Sequence, residues 1–440
     1  MNPDFPFRRD FFQSITDEPL EYGDARYVPL YGPRSGLGHD PVTLLAEAIL
    51  CSREQSVQLV SGFRGTGKTT ELKRLEAELV KEAYKVIYLN MDDYVNMSTP
   101  IDISDFLMAL AGGFGEALKA PHHLGEDPSQ EGYWDRLVSF FKDTKITLPE
   151  FTAVGIKANL KNDPNFRKDL QARMEGHLGA LVGHVRKFFA ECIDALKMRH
   201  GSDTQVVLLI DSLEHVRGTL TNAHKVQESV EVLFTGHAEK LKLPRVHIVY
   251  SVPPYLKARA MNIGMLYGIG AVQIFPALKI RNRDGGLVNA AGVDALKQVV
   301  AKRGDYTRLL EKDKGLIEKL IMMSGGNIRD LLRLLGEVIR RATILPATEE
   351  VVHDAINQMR TEFLPIADDD AVWLAEIAMT HEPALSNIER LTTLARFFDT
   401  HVVLCYRNGP EWYDVHPLIK DHAMAQARAA QRRRASVEAE

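Results

Sequence analysis

An eight-residue run, GFRGTGKT at positions 62–69, constrains this chain more than any other feature. It matches the pattern G-x-x-x-x-G-K-[ST] in full, which is typical of loops that cradle the phosphates of a nucleotide. Its glycines let the backbone turn tightly, so that N–H groups point at phosphate oxygens. The predicted cofactor-binding residues of this loop are Gly62, Phe63, Arg64, Gly65, Thr66, Gly67, Lys68, Thr69 and Thr70.

Two side chains of this loop are expected to carry the chemistry. Lys68 places a positive charge between the β- and γ-phosphates, and the Thr69 hydroxyl completes a Mg²⁺ shell with water and phosphate oxygens. The flanks have the required pattern, because residues 57–61 read as a strand and residues 68–83 have apolar residues at helical spacing. A chance match in an ordinary turn is the alternative, and the strand–turn–helix context argues against it. ATP and Mg²⁺ are therefore the predicted cofactors.

Composition narrows the class of protein. The 440 residues suffice for about two to four domains. A net charge of −5 argues against a protein that coats nucleic acid nonspecifically, although a local basic face is compatible with it. Three widely separated cysteines, in no C-x-x-C pair, indicate neither a disulfide framework nor a zinc site. With no signal-peptide or membrane-spanning pattern, we expect a cytoplasmic protein that makes no membrane contact.

An apolar run that ends in Asp211 (QVVLLID, residues 205–211) predicts the second half of the site. A carboxylate at the tip of such a buried strand holds Mg²⁺ opposite Thr69, whereas the alternative is an Asp that caps a helix. Glu214, three residues later, is a candidate for orienting or deprotonating the attacking water. Its alternative is a solvent-facing Glu in a first helical turn.

Two further positions have open alternatives. Ser251 ends the predicted strand 245–251 and lies before two prolines, where its hydroxyl is placed either to bind the γ-phosphate or to form a turn. Tyr27 and Val28 lie shortly before the loop strand, where they either line an adenine pocket or belong to an arm that packs on the surface.

The segment SGGNIRD at residues 324–330 is the second informative motif. Two glycines end one helix, and Asn327 caps the next. Arg329 lies in the first turn of that helix, where a cation opposes the helix dipole. Such a placement favours contact with a nucleotide phosphate, and the alternative is a surface salt bridge. Lys68, Asp211, Glu214, Ser251 and Arg329 are thus the predicted catalytic residues, with Thr69 and Asp211 as metal ligands.

The order of these motifs resembles that of AAA+ and STAND-type P-loop ATPases, in particular Orc1/Cdc6-like members and bacterial signalling ATPases. The resemblance covers roughly residues 25–420, apart from 121–201. It implies an α/β fold class: a five-stranded parallel P-loop NTPase core of the ASCE or AAA+ type, an α-helical lid domain and a C-terminal winged helix. By this likeness Ser251 is a sensor-1 position and Arg329 a sensor-2 position. Ser212 stands where typical hydrolases have Glu, which implies either that Glu214 replaces that residue or that hydrolysis is slow.

The pattern of elements gives the expected organisation. Helices are predicted over 290–302, 312–323, 327–343 and 349–361, and a hairpin is predicted around Asn408-Gly409. Within 121–201 we predict a helix near 133–143, a strand pair in 145–160 and a long helix over 165–199 that packs on the core. The predicted domains are an N-terminal arm and pre-core helix (1–50), the NTPase core (51–284) with its helical insertion (121–201), the lid (285–364), the winged helix (365–424) and a disordered tail (425–440).

Two functions compete. The first is an ATP-binding, slowly hydrolysing switch that couples nucleotide state to assembly or partner activation, as the resemblance implies for bacterial signalling or defence. The second is a DNA-binding ATPase of the initiator or transposition-regulator type, but acidic residues balance Arg390 and Arg396 on the predicted recognition helix. We therefore expect nucleotide and a protein partner or self-association, with DNA less favoured. A small-molecule kinase fits the helical lid and winged helix poorly.

Overall fold

The chain forms two compact units. The computed structural model describes residues 3–16, 18–32, 39–125, 139, 153–219, 221–268, 272–283, 288–311, 314–385, 387–407 and 410–438. The first unit, here called the lid unit, comprises Met1–Pro41, Gly62–Lys73 and Phe275–Glu440, and the second, the sheet unit, comprises Val42–Ser61 and Arg74–Ile274. The predicted domain boundaries differ from these units and stay predictions.

A parallel sheet organises the sheet unit. Its strands are β1 (Ser56–Gly62), β2 (Lys85–Asn90), β3 (Val206–Asp211), β4 (His247–Val252) and β5 (Gln273–Phe275), in the order β2-β3-β4-β1-β5. The pairs β2–β3, β3–β4 and β4–β1 are parallel, and every residue of β3 and β4 is buried. The predicted five-stranded parallel core is confirmed. Because parallel strands end at the same edge of a sheet, Ser61, Asp211 and Val252 lie at one edge.

Helices connect and flank these strands. In chain order they are α1 (Phe5–Ser14), α2 (Pro41–Leu50), α3 (Lys68–Lys81), α4 (Ile103–Ala117), α5 (Ala153–Asn162), α6 (Pro164–Met174), α7 (Leu178–His200), α8 (Ala223–Thr235), α9 (Ala238–Leu241), α10 (Leu256–Arg259), α11 (Ile263–Tyr267), α12 (Ala290–Ala301), α13 (Tyr306–Leu309), α14 (Leu316–Met323), α15 (Ile328–Arg341), α16 (Glu349–Thr361), α17 (Asp368–Thr380), α18 (Leu391–Asp399) and α19 (Lys420–Glu438). No helix among the described residues is long and apolar enough to cross a bilayer.

The insertion covers α4, which is buried on all sides from Ile103 to Phe114. Phe189 of α7 stacks on Phe114 at a centroid distance of 4.3 Å, and the apolar face of α7 belongs to the same core. The predicted packing of this region on the core is therefore confirmed. The prediction of one long helix over 165–199 is wrong. The helix is interrupted between α6 and α7, where Gly176 has a φ of +84°.

The remaining predictions for the insertion concern the strand pair in 145–160 and the helix near 133–143. The second half of the predicted strand pair is wrong, since residues 153–162 form α5. Its first half and the helix near 133–143, except residue 139, lie outside the described residues.

The lid helices α12, α14, α15 and α16 agree with the predicted four within a few residues. Leucine and isoleucine line one buried stripe of α15, as its spacing predicts. The helix α1, which the sequence did not reveal, lies against α15: Arg8 Nε donates to the carbonyl of Ile339 at 2.9 Å. This bond satisfies a carbonyl in the last turn of α15, where cations are favoured.

The C-terminal module consists of α17, α18, a hairpin and α19. Strands β6 (Val403–Arg407) and β7 (Glu411–Val415) pair antiparallel with Cys405 opposite Tyr413, and the predicted turn residues 408 and 409 lie outside the described residues. The predicted disordered tail is wrong, because α19 continues to Glu438. Its Ala427 packs on Ala371 and Ala375 of α17, and small side chains let the two helices approach closely.

Candidate functional site

The loop between β1 and α3 makes the turn that its glycines predict. Gly65 and Gly67 have φ angles of +80° and +88°, a region that residues with a Cβ rarely adopt. The Thr66 hydroxyl donates to the carbonyl of Phe63 at 2.9 Å, and the Glu71 N–H donates to the carbonyl of Gly67 at 3.0 Å. The turn is therefore closed by its own side chain, and the hydrogen bonding of α3 begins inside the loop.

The start of α15 holds this loop from one side. Asn327 Nδ2 donates to the carbonyl of Arg64 at 2.8 Å, and the backbone N–H of Arg329 donates to the carbonyl of Gly65 at 3.2 Å. Asn327 also caps its own helix, because its Oδ1 accepts the N–H of Asp330. The predicted sensor-2 segment and the predicted phosphate loop are thus brought together.

Gly65 is required by this approach as well as by its backbone angle. A Cβ at this position would lie 2.4 Å from Asn327 Oδ1 and 2.6 Å from Arg329 Cβ. No side chain fits there without moving α15 or the loop. Gly67 is less crowded, since its Cβ would lie 3.4 Å from Ile328 Cδ1.

The N-terminal arm contacts the first turn of α3. The N–H of Leu20 donates to Thr70 Oγ1 at 3.0 Å, and the Tyr27 hydroxyl donates to Glu71 Oε1 at 3.1 Å. Val28 is buried. The arm therefore packs beside the loop, while a role of Tyr27 and Val28 in an adenine pocket stays a prediction.

In the sheet unit, Asp211 ends β3 and is only 1% exposed. Its Oδ2 accepts from the Tyr88 hydroxyl at 2.5 Å and its Oδ1 from the N–H of Ser212 at 2.8 Å. These two donors fix the orientation of the carboxylate. Tyr88 is a neighbour that sequence reasoning missed, because only the pairing of β2 with β3 brings it there.

The chain turns sharply after Asp211. Ser212 has a φ of +74°, a left-handed conformation that is strained for a residue with a Cβ, and Leu213–His215 form one 3-10 turn. This turn aims Glu214 back at the neighbouring strand β4. Ser251 Oγ donates to Glu214 Oε2 at 2.7 Å and accepts the N–H of Leu213 at 3.2 Å.

Two groups of predicted residues thus emerge. In the lid unit the backbone of Arg329 is bonded to Gly65 of the loop that leads to Lys68 and Thr69. In the sheet unit Asp211 is followed by the turn that joins Glu214 to Ser251. Both Lys68 and Glu214 are buried, so the alternative of a solvent-facing Glu214 is wrong. Among the described residues, no cluster of three or more His, Cys, Asp or Glu could hold a metal ion by itself.

Comparisons with known proteins give a likeness only to solved structures. No family model matches the chain, and the search of curated proteins finds no match. The ORC2 protein of Aeropyrum pernix, solved as ADPNP–ADP complexes, is 15% identical over 98% of each chain with a TM-score of 0.41. The Walker-type ATPase paby2304 of Pyrococcus abyssi is 13% identical over 93% of this chain and 99% of its own, with a TM-score of 0.43.

A third neighbour, Cdc6p from Pyrobaculum aerophilum, is 13% identical over 96% of this chain and 98% of its own, with a TM-score of 0.39. The predicted resemblance to Orc1/Cdc6-like proteins is confirmed in these neighbours. Likenesses at such low TM-scores carry no argument about activity. Function is therefore inferred from the residues of the chain itself.

Proposed function

We propose that this protein is an ATPase of the AAA+ type that binds ATP with Mg²⁺ and hydrolyses it slowly. The observation that carries the proposal is the complete phosphate-loop motif in its required context. Strand β1 runs directly into the loop, the loop has left-handed glycines at 65 and 67, and α3 begins at Lys68. This strand–loop–helix arrangement is the one that presents backbone N–H groups to phosphates.

The residues present suit a Mg²⁺ ion, which prefers oxygen ligands and keeps several waters. Asp211 supplies a carboxylate that its own neighbours hold in one orientation, and Thr69 supplies a hydroxyl in the first turn of α3. When bound, the ion would neutralise charge on the phosphates. Lys68 and Arg329 would add positive charge at the same phosphates.

Glu214 and Ser251 would act on the attacking water. The Ser251 hydroxyl holds Glu214 Oε2, which leaves the carboxylate group oriented at the tip of β3. As the water oxygen bonds to the γ-phosphorus and the bond to the ADP oxygen breaks, Glu214 would accept the water proton. Glu214 lies three residues after Asp211, across a strained turn, and this unusual placement supports slow turnover and hence a switch.

The charge on Lys68 provides the first test. Isothermal titration of ATP into Lys68→Ala is expected to show at least about a hundredfold weaker binding than wild type, as expected for a lost charge contact to phosphate. Lys81→Ala is the matched control, because Lys81 ends the same helix in an exposed position. Unchanged affinity in Lys68→Ala would remove the proposed site.

Glu214→Gln separates binding from hydrolysis. This variant keeps the acceptor for Ser251 but loses the base, so phosphate release should fall about a hundredfold or more while ATP affinity stays the same. Asp211→Asn should instead lower the Mg²⁺ dependence of binding. Equal phosphate release by wild type and Glu214→Gln would reject Glu214 as the base.

The output that we propose is nucleotide-dependent assembly or partner activation, as in signalling or defence ATPases. Light scattering of the full chain, with and without ATP and Mg²⁺, tests the assembly. A mass that increases only with nucleotide supports it, whereas a constant monomer mass leaves partner activation as the output to be assayed by pull-down with purified candidate partners.

A second candidate is a DNA-binding ATPase, which the α17–α19 module with its hairpin supports. Two of its arginines are engaged within the module: Arg390 lies over the Trp373 ring at 4.8 Å, and Arg396 pairs with Asp370 at 2.6 Å. Binding to a duplex across a salt series tests this candidate, because phosphate contacts give a steep salt dependence. The absence of binding at low salt, with and without ATP, would exclude it.

A further inference from the structure

One short segment, residues 325–330, is bonded both to the phosphate loop and to the C-terminal module of α17, α18, the β6–β7 hairpin and α19, here called the winged-helix module. On the loop side it supplies the bonds from Asn327 to the Arg64 carbonyl and from the Arg329 N–H to the Gly65 carbonyl. On the other side, the Tyr406 hydroxyl of β6 donates to the carbonyl of Gly325 at 2.6 Å. Six consecutive residues therefore join two parts of the lid unit that are far apart in sequence.

Asp330 makes the strongest link to the module. It is 1% exposed, and its Oδ2 lies 3.4 Å from His401 Nδ1 and 3.4 Å from His416 Nε2. The N–H of Leu418 donates to His416 Nδ1, so the Nε2 of that ring carries the proton that faces Asp330. Arg333 lies 3.7 Å from the other carboxylate oxygen. A buried carboxylate with such partners is costly to separate from them.

An aromatic contact forms a second, independent link. Phe63, the second residue of the phosphate loop, is buried and meets Phe398 of α18 edge to face at a centroid distance of 5.1 Å. Phe398 in turn stacks on Tyr413 of β7 at 5.7 Å. The loop therefore rests directly on the winged-helix module.

These contacts determine which way the loop presents its amide groups. The C=O and N–H of a trans peptide point in opposite directions. When Asn327 binds the carbonyl of Arg64, the N–H of Gly65 is therefore aimed away from α15. A loop whose peptide planes are fixed in advance loses less entropy when it binds phosphate.

We propose that Asp330 and Phe398 are positioning residues for the phosphate loop, through which the winged-helix module sets the affinity for ATP. Neither residue belongs to the predicted nucleotide site. The inference rests on the proposed function, because it concerns how the same site is regulated.

Two adjacent phenylalanines allow a matched test. Phe397 and Phe398 are both buried in α18, but Phe397 packs on Trp373 inside the module, at 5.3 Å, while Phe398 packs on the loop. Each is replaced by Leu in the full chain, and ATP is titrated below the unfolding temperature of both variants. We expect Phe398→Leu to bind ATP about five- to tenfold more weakly than wild type, the size of a lost aromatic contact, and Phe397→Leu to bind as wild type does.

A double-mutant cycle isolates the contact itself. Phe63→Leu and Phe398→Leu should have less than additive effects on the logarithm of the ATP dissociation constant, because each removes the same ring pair. Asp330→Asn probes the other link with a side chain of the same shape, and its ATP affinity should also fall about five- to tenfold.

The outcomes separate this inference from the proposed function. If wild-type protein does not bind ATP, the proposed function fails. If wild type binds ATP and Lys68→Ala does not, but the affinities of Phe398→Leu and Asp330→Asn equal that of wild type, only the inference is overturned. Equal losses in Phe397→Leu and Phe398→Leu would also overturn it, because general softening of the module would then explain both.

Discussion

Two buried aspartates, one in each unit, have carboxyl groups whose pKa values are shifted in opposite directions. Burial alone would raise the pKa of Asp330 in the lid unit, but the rings of His401 and His416, each 3.4 Å from its Oδ2, hold that pKa well below its usual range. Asp105 in α4 of the sheet unit accepts a hydrogen bond from Gln171 Nε2 at 2.6 Å, and burial raises its pKa to about 7. Asp330 therefore keeps its charge at neutral pH, whereas burial favours the neutral form of Asp105.

The two groups of predicted site residues also differ in how far away in the chain their supporting residues lie. The phosphate loop is held by α15 and by the winged-helix module, which lie some hundreds of residues away in the chain. The turn with Asp211 and Glu214 is held by neighbouring strands of one sheet. We therefore expect the winged-helix module to influence the loop, whereas the turn after Asp211 is held within one buried sheet.

The largest effect that we expect is on Asp330. Asp330→Asn should lower the free energy of unfolding by about 3–5 kcal/mol at pH 7, the range for breaking a buried ion pair. Because the folded-state pKa is lowered, the stability from Asp330 is fully present above its unfolded pKa of 3.8 and is lost as the pH falls from there through the folded value. Urea unfolding at pH 7 and pH 2.5 checks this: a difference from wild type that does not shrink in acid would contradict the ion pair.

Asp105→Asn should change the free energy of unfolding in the opposite direction and stabilise the protein at high pH. Because the folded pKa is raised from 3.8 to about 7, the wild type loses stability as the pH rises through that window. The loss is at most about 4 kcal/mol, from 1.36 kcal/mol per pKa unit. The neutral variant should therefore be more stable than wild type at pH 8 and equal to it near pH 4. A variant less stable than wild type at pH 8 would show that the Asp105 carboxylate is better stabilised than its burial indicates.

The variants Gly65→Ala and Gly67→Ala separate the cost of a left-handed backbone from the cost of a collision with α15. Both variants put a Cβ on a left-handed residue, which costs about 1–2 kcal/mol, but only Gly65→Ala collides with Asn327 and Arg329, which adds about 1–3 kcal/mol. Urea unfolding midpoints should therefore be lower for Gly65→Ala. Equal midpoints would mean that α15 does not press on the loop.

Ser251→Ala and Ser61→Ala test the rigidity of the sheet edge. Ser251→Ala removes the partner of buried Glu214 and should cost about 1–3 kcal/mol, and phosphate release should slow about tenfold. The Ser61 hydroxyl has no hydrogen-bond partner among the described residues, so Ser61→Ala should change stability by less than about 0.5 kcal/mol. Similar losses in both variants would show that the Glu214 contact contributes nothing specific.

The regular elements were largely predictable from sequence, because their signals are local. The phosphate loop, the apolar strand before Asp211, the four lid helices and the hairpin strands all follow from periodicity and turn residues. The wrong predictions of secondary structure have physical reasons. Gly176 broke a helix that periodicity alone would continue, and packing of Ala427 on α17 ordered a tail whose composition suggested disorder.

Sequence by itself determined the chemistry that the candidate site contains, because a glycine loop with Lys68 and Thr69 is written in eight adjacent residues. Tertiary structure alone decided which distant groups support it. Asn327 reaches the Arg64 carbonyl, Phe398 meets Phe63 and two histidines surround Asp330 only once the chain is folded. Such pairings leave no periodic trace in sequence, because they depend on the packing of segments that are separated by long stretches of chain.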